Sequence, residues 1–281
     1  VQIAAAAADC VRSHEALGDT ENQYKFLHIL GSSQLLSDDY EGALQTADIL
    51  CAALYVQADP VLKAKSEILR AAAWRNLAHH ESAIETSRQA LKTLAAVHGA
   101  SRIRAEAYQG LIASLVEAGQ IEKAWELREP LVEVLAETPD NEFSGQCYWT
   151  LGNLAFAHGQ NAAGLDYHER AAGFLKLVNK IHVWARFNKA SADVQLQAGV
   201  ANNQTNDCIE RAELAYAILG GTTTELAGLA TTKARWLLAT EQLEQAVEIL
   251  EKTILESGVD EALDIATARV LLAQVRTIQG L

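Results

Sequence analysis

At 281 residues, with 49% hydrophobic and 21% charged content, the chain is long enough to bury a sizeable core, and a net charge of −13 makes its average field repel nucleic-acid backbones. Alanine and leucine dominate and only three prolines occur, which disfavours both a sheet protein and a disordered one. No apolar run reaches the roughly 20 residues that a bilayer-spanning helix needs, and the run Ala4 to Ala8 is too short, and lacks the basic leader, for a signal peptide.

Periodicity and cap residues predict a first helix over 1–17 that packs onto the first hairpin. Helical hairpins are then expected over 22–55, 61–96, 101–136, 142–177, 180–219 and 223–256, with a terminal helix over 260–278, about 13 to 14 helices in all. Breaks fall at Gly18-Asp19, Asp59-Pro60, Gly99-Ala100, Thr138-Pro139-Asp140, Gly199 to Asn206 and Gly220-Gly221, the last reading as a helix stop before a threonine N-cap. No linker is rich enough in glycine, serine or proline to divide domains, so 1–281 reads as one continuous array. The four cysteines Cys10, Cys51, Cys147 and Cys208 are scattered without metal-ligand or redox spacing and read as buried thiols of a cytoplasmic protein. The start at Val1 leads to the expectation of a piece of a longer protein, and the absence of methionine is unusual for a chain of this length.

A repeat underlies this order. A turn followed by a small residue recurs as Asp38 to Ala43, Ala78 to Ala83, Gly119 to Ala124, Gly159 to Gly164 and Glu241 to Ala246. The closing residues at 43, 83, 124, 164 and 246 are spaced by 40, 41, 40 and 82, so a degenerate copy must lie near Ile181 to Leu219. Twelve residues before each stands a second compact residue, Gly31, Ala71, Ile112, Gly152 or Ala234. Paired small residues let the two helices of a hairpin approach closely.

In the best copy, Tyr148-Trp149-Thr150-Leu151-Gly152 is followed by Gly159, Gly164 and Ala171, and the seven-residue pair recurs as Ala83 and Ala90. This resembles the tetratricopeptide (TPR) signature over roughly residues 22–281, with a period longer than the usual one of about 34. The long repeat is similar to those in the sensor domains of MalT-like LuxR-type activators and of the RRNPP regulators. The resemblance implies an all-α, right-handed superhelical solenoid of antiparallel hairpins whose concave trough captures an effector.

Motifs for chemistry are missing: there is no H-E-x-x-H, no P-loop and no G-x-S-x-G elbow, so neither catalysis, nor a metal, nor a cofactor is expected. His79-His80 and His168-Glu169 are read as turn and helix-surface residues. Stacked hairpins turn their first helices inward, and projecting each from its small residue selects an inner face. The candidates are Arg75, Asn76, Gln109, Trp149, Asn153, Phe156, Arg186, Lys189, Asp193 and Arg235, with His28, Ser32, Glu117 and Thr231 beside them. Amides suit peptide backbone or sugar hydroxyls, aromatics stack on apolar faces, and cations take carboxylates. The expectation is a peptide-, oligosaccharide- or protein-binding module of a bacterial transcriptional regulator, able to form homodimers, with no direct contact to nucleic acid or membrane. The competing expectation is a protein scaffold without a small effector.

Overall fold

The computed structural model describes residues 2–138, 141–175, 181–256 and 262–280. All regular structure among them is helical. The expected break at Pro139-Asp140, the junction of the hairpins near 176–180 and the start of the last helix at 260 lie outside the described residues.

The chain divides into two compact units, Val1–Asp140 and Asn141–Leu281. The first holds α1 (Gln2–Leu17), α2 (Thr20–Leu36), α3 (Tyr40–Ala52), the short α4 (Leu54–Gln57), α5 (Pro60–Asn76), α6 (His80–Leu94), α7 (Ser101–Glu117), α8 (Ile121–Glu126) and α9 (Arg128–Ala136). The second holds α10 (Asn141–Ala157), α11 (Asn161–Phe174), α12 (Ile181–Gln197), α13 (Asn203–Leu219), α14 (Thr223–Ala239), α15 (Leu243–Glu256) and α16 (Ala262–Ile278). Neighbours in sequence pack as hairpins, α2 with α3, α5 with α6, α10 with α11, α12 with α13 and α14 with α15. Helix α1 lies along α2, and α16 packs on both α14 and α15.

Two expected helices are each split. The helix expected over 121–136 breaks at Leu127, because Pro130 has no N–H and its ring would meet the carbonyl of Glu126. The helix expected to run to residue 55 stops at Ala52, where Ala53 turns extended and α4 follows as a single turn.

The repeat marker is a left-handed residue that ends the first helix of a hairpin. Asp38, Ala78, Gly119, Gly159, Gly199 and Glu241 all have φ between 60° and 77°. After each, the next N–H returns to a carbonyl five residues back, as in Asp39 to Gln34, His79 to Trp74 and Gln120 to Leu115. That closure satisfies carbonyls the helix end would otherwise leave open. Seven residues before each marker stands a buried compact residue: Gly31, Ala71, Ile112, Gly152, Ala192 and Ala234. In four cases another, Ala43, Ala83, Ala124 or Gly164, lies five residues after it, and Ala246 stands so after Glu241.

These residues mark contacts between helices. A Cβ on Gly31 would lie 2.6 Å from Leu69, and one on Gly164 would lie 2.8 Å from the Phe156 ring. The degenerate copy is α12–α13, where Val200 and Ala201 lengthen the turn and the buried closing residue becomes Thr205. Asn202 and Thr205 form a reciprocal capping box there. Gly220 ends α13 in the left-handed region and Thr222 caps α14 through Glu225, as the sequence implies.

Ala78 is an exposed L-residue held at φ 60°, a conformation that costs an alanine about 1–2 kcal/mol and glycine almost nothing. Ala78→Gly is expected to raise unfolding stability by about 1 kcal/mol, and Gly119→Ala to lower it by a similar amount. Urea titration of both variants checks this, and an Ala78→Gly variant less stable than the wild type, or a Gly119→Ala variant more stable, would contradict the backbone strain assigned to the turn.

Candidate functional site

In the first unit the inner-face candidates are already engaged with protein groups. Arg75 on α5 faces Glu117 on α7 at 3.8 Å, and His80 reaches the other carboxylate oxygen at 3.7 Å. The Asn76 amide donates to the Ala72 carbonyl of its own helix at 2.8 Å. Gln109 is half-buried on α7, as is Ser32 on α2. Burial, with Lys65 nearby, holds the His28 pKa below the ordinary histidine value.

In the second unit the candidates separate into two groups. Trp149, Asn153 and Phe156 surround a buried histidine. Phe156 is 6% exposed, its ring covers Gly164 and it meets the His168 ring edge-on, so it is core and corrects the expectation of a groove aromatic. Trp149 packs edge-on against Phe187, with its ring centroid 5.2 Å away.

His168 overturns the surface reading as well. It is buried because Gly152 gives way to it: a Cβ there would lie 2.0 Å from the imidazole. The signal was present in the sequence, since Gly164, His168 and Ala171 stand at i, i+4 and i+7 on one helical stripe.

The polar contacts of His168 form a directed chain. Thr205 donates to Gln195 at 2.8 Å, Gln195 donates to Ser191 at 3.1 Å, and Ser191 lies 2.6 Å from His168 Nδ1. Asn153 Oδ1, 3.1 Å from Nε2, accepts only if Nε2 carries the hydrogen, which leaves Nδ1 to accept from Ser191. Burial lowers the His168 pKa to about 4, against an opposing pull from the Trp149 carbonyl. Ser191, His168 and Asn153 have the connectivity of a nucleophile–base–orienter set, but Ser191 is fully buried and so weak a base stays neutral without drawing off a proton.

The second group faces outward. Helices α12 and α14 run side by side, and Asp193 sits between them. Asp193 Oδ2 lies 2.8 Å from Lys189 Nζ, and Oδ1 accepts the Thr232 hydroxyl at 2.7 Å. The Arg235 guanidinium approaches the same carboxylate at 3.7 Å. Arg186, one turn before Lys189, is exposed and makes no ion pair among the described residues. The structure thus brings Lys189, Asp193 and Arg235 together, and adds Thr232 and Gly228, which the sequence did not single out. Thr231, by contrast, is buried and bonds back to its own helix at Ala227.

On another side of α14, a cavity of about 700 Å³ opens between α13 and α15. Tyr216, Leu226, Leu229 and Ile249 line it together with Lys252 and the ion pair of Lys233 with Glu213 at 2.7 Å. Among the described residues no group of His, Cys, Asp and Glu is placed to hold a metal, and no helix is long and apolar enough to cross a membrane.

No family model matches the sequence, and no curated protein matches it. The fold, however, is similar to solved structures. BtubC (BKLC) from P. vanneervenii is 18% identical, with 79% of this chain and 92% of that chain covered and a TM-score of 0.59. A Rap protein crystallised with competence and sporulation factor is 14% identical, with 92% of this chain and 75% of that chain covered and a TM-score of 0.63. At these identities the shared property is the fold, an all-α helical repeat.

The His168 pKa fixes a pH effect. The unfolded histidine takes up a proton near pH 6.5 and the folded one only near 4, so its contribution is complete above about 6.5 and lost as pH falls toward 4. The loss should reach about 3 kcal/mol. Urea titrations between pH 7.5 and 4.5 should show it, and His168→Gln should flatten the slope. Equal slopes in both proteins would place the acid sensitivity elsewhere.

Proposed function

We propose that this chain is a non-catalytic binding module of the tetratricopeptide type that captures a peptide or protein segment, acting as the sensor part of a bacterial transcriptional regulator. The observation that carries the reading is the outward-facing set on α12 and α14, where one carboxylate bonds the Lys189 ammonium and draws the Arg235 guanidinium to 3.7 Å. Preorganised charged donors on rigid helices are suited to recognition. The Ser191–His168 pair, sealed from solvent, supports binding over catalysis. The similar fold of the Rap protein, which was crystallised with competence and sporulation factor, supports an effector-bound role.

The scaffold reading is favoured by a different feature. Leu214 and Ile218 of α13 are exposed, as are Leu226 of α14 and Leu255 of α15, and Leu226 lines the cavity between α13 and α15. Exposed apolar side chains beside a cavity suit a protein partner.

A displayed library of random dodecamer peptides, selected against the purified protein, tests the leading reading. Enriched sequences are expected, and a ligand at about one hundred times its Kd should add about 2.7 kcal/mol to unfolding stability. A library that enriches nothing, alongside a protein partner whose capture is lost in Leu226→Asp, would turn the reading to the scaffold.

A further inference from the structure

The pair Lys189 and Arg235 has a chemistry more specific than peptide binding in general. In a chain of net charge −13, Arg186, Lys189 and Arg235 gather along α12 and α14 with Asp193 the acid among them. Glu225 interacts with Arg186 by charge, and its Oε2 accepts from the Thr222 N–H and hydroxyl in capping α14.

The donors are held but not used up. Asp193 is satisfied at both oxygens, by Thr232 at 2.7 Å and Lys189 at 2.8 Å. Arg235, at 3.7 Å, is too far for a hydrogen bond to it, so the guanidinium is positioned by charge while its N–H groups remain free of Asp193. Lys189 has two further N–H donors beyond the one directed at Asp193. Its stem lies along α14 because residue 228 is glycine: a Cβ there would come within 3.1 Å of Lys189 Cε. Both cationic heads remain reachable, with side-chain exposures of 29% for Lys189 and 38% for Arg235.

Resting on the peptide-binding reading, we propose that Lys189 and Arg235 form the seat for a carboxylate of the bound peptide. Arg186, Lys189 and Arg235 against Asp193 and Glu225 leave a local charge of one, which a carboxylate neutralises and a doubly charged phosphate would overshoot. The guanidinium offers the planar fork that a carboxylate accepts in two parallel hydrogen bonds. Asp193 and Thr232 are positioning residues that keep the fork and the ammonium on one side. The carboxylate is either an Asp or Glu side chain or the peptide's own C-terminus.

The probe is the peptide most enriched from a random dodecamer library with free C-termini, synthesised in three forms: unchanged, with each Asp or Glu replaced by its amide, and with an amidated C-terminus. Affinities are measured for the wild-type protein, Arg235→Gln and Lys189→Gln/Arg235→Gln. Arg235→Gln leaves the Asp193 contacts with Lys189 and Thr232 intact, so its fold is spared, and circular dichroism checks this. In the wild type one of the amide replacements should weaken binding about ten- to hundredfold, the range of a charge-assisted pair. Which replacement does so identifies the side chain or the terminus. In the variants the same replacement should cost less than threefold. Enriched peptides that tolerate every amide replacement, or that lose as much in the variants as in the wild type, would overturn the carboxylate seat while leaving peptide binding intact. A library that enriches nothing would overturn both.

Discussion

Close approach of paired helices is the constraint on which the rest of the structure depends. A buried compact residue late in each first helix and another near the start of each second helix remove the volume that would hold the hairpin apart. The left-handed turn fixes their separation, because the compact residue of the first helix always falls seven positions before it. One conformational choice therefore sets both where a helix ends and which of its residues face the partner. Ile112 is the exception, a full-sized side chain completely buried at the same position.

The same packing creates the chemistry of the second unit. Gly152 leaves the space that His168 fills, and the buried ring then needs partners on both nitrogens. It finds them on α10 and α12, and the chain extends through Gln195 to Thr205 on α13. Desolvation keeps the ring neutral, so the network joins four helices, α10 to α13, without a buried charge. Gly228 acts in a related way at the surface, where the missing side chain gives the Lys189 stem a place to lie. Space left by glycine is thus used once for a core histidine and once for a surface lysine.

Much of this was legible in the chain. Turn residues, caps and the 40-residue interval located the hairpins, and the split of α8 from α9 was written in Pro130 although the periodicity across it hid the break. The copy at α12–α13 was hard to read because Val200 and Ala201 displace its closing residue and because that residue is a threonine. Of the inner-face residues, Lys189, Asp193 and Arg235 share one cluster, whereas Phe156 is core and Asn76 is tied to its own helix.

By itself the sequence determined the all-helical repeat, because propensity, turn chemistry and small-residue spacing are local properties that act within a few residues of one another. Only the tertiary structure decided which polar residues are consumed by the core and which remain at the surface. His168 and Asp193 both look like ordinary helical polar positions in the linear chain. What separates them is the neighbouring helix: α10 and α12 close over the histidine, while α14 brings Thr232 and Arg235 to the aspartate and leaves cationic donors facing outward. Such contacts join residues about 15 to 40 positions apart, beyond the reach of any pattern read along a single helix.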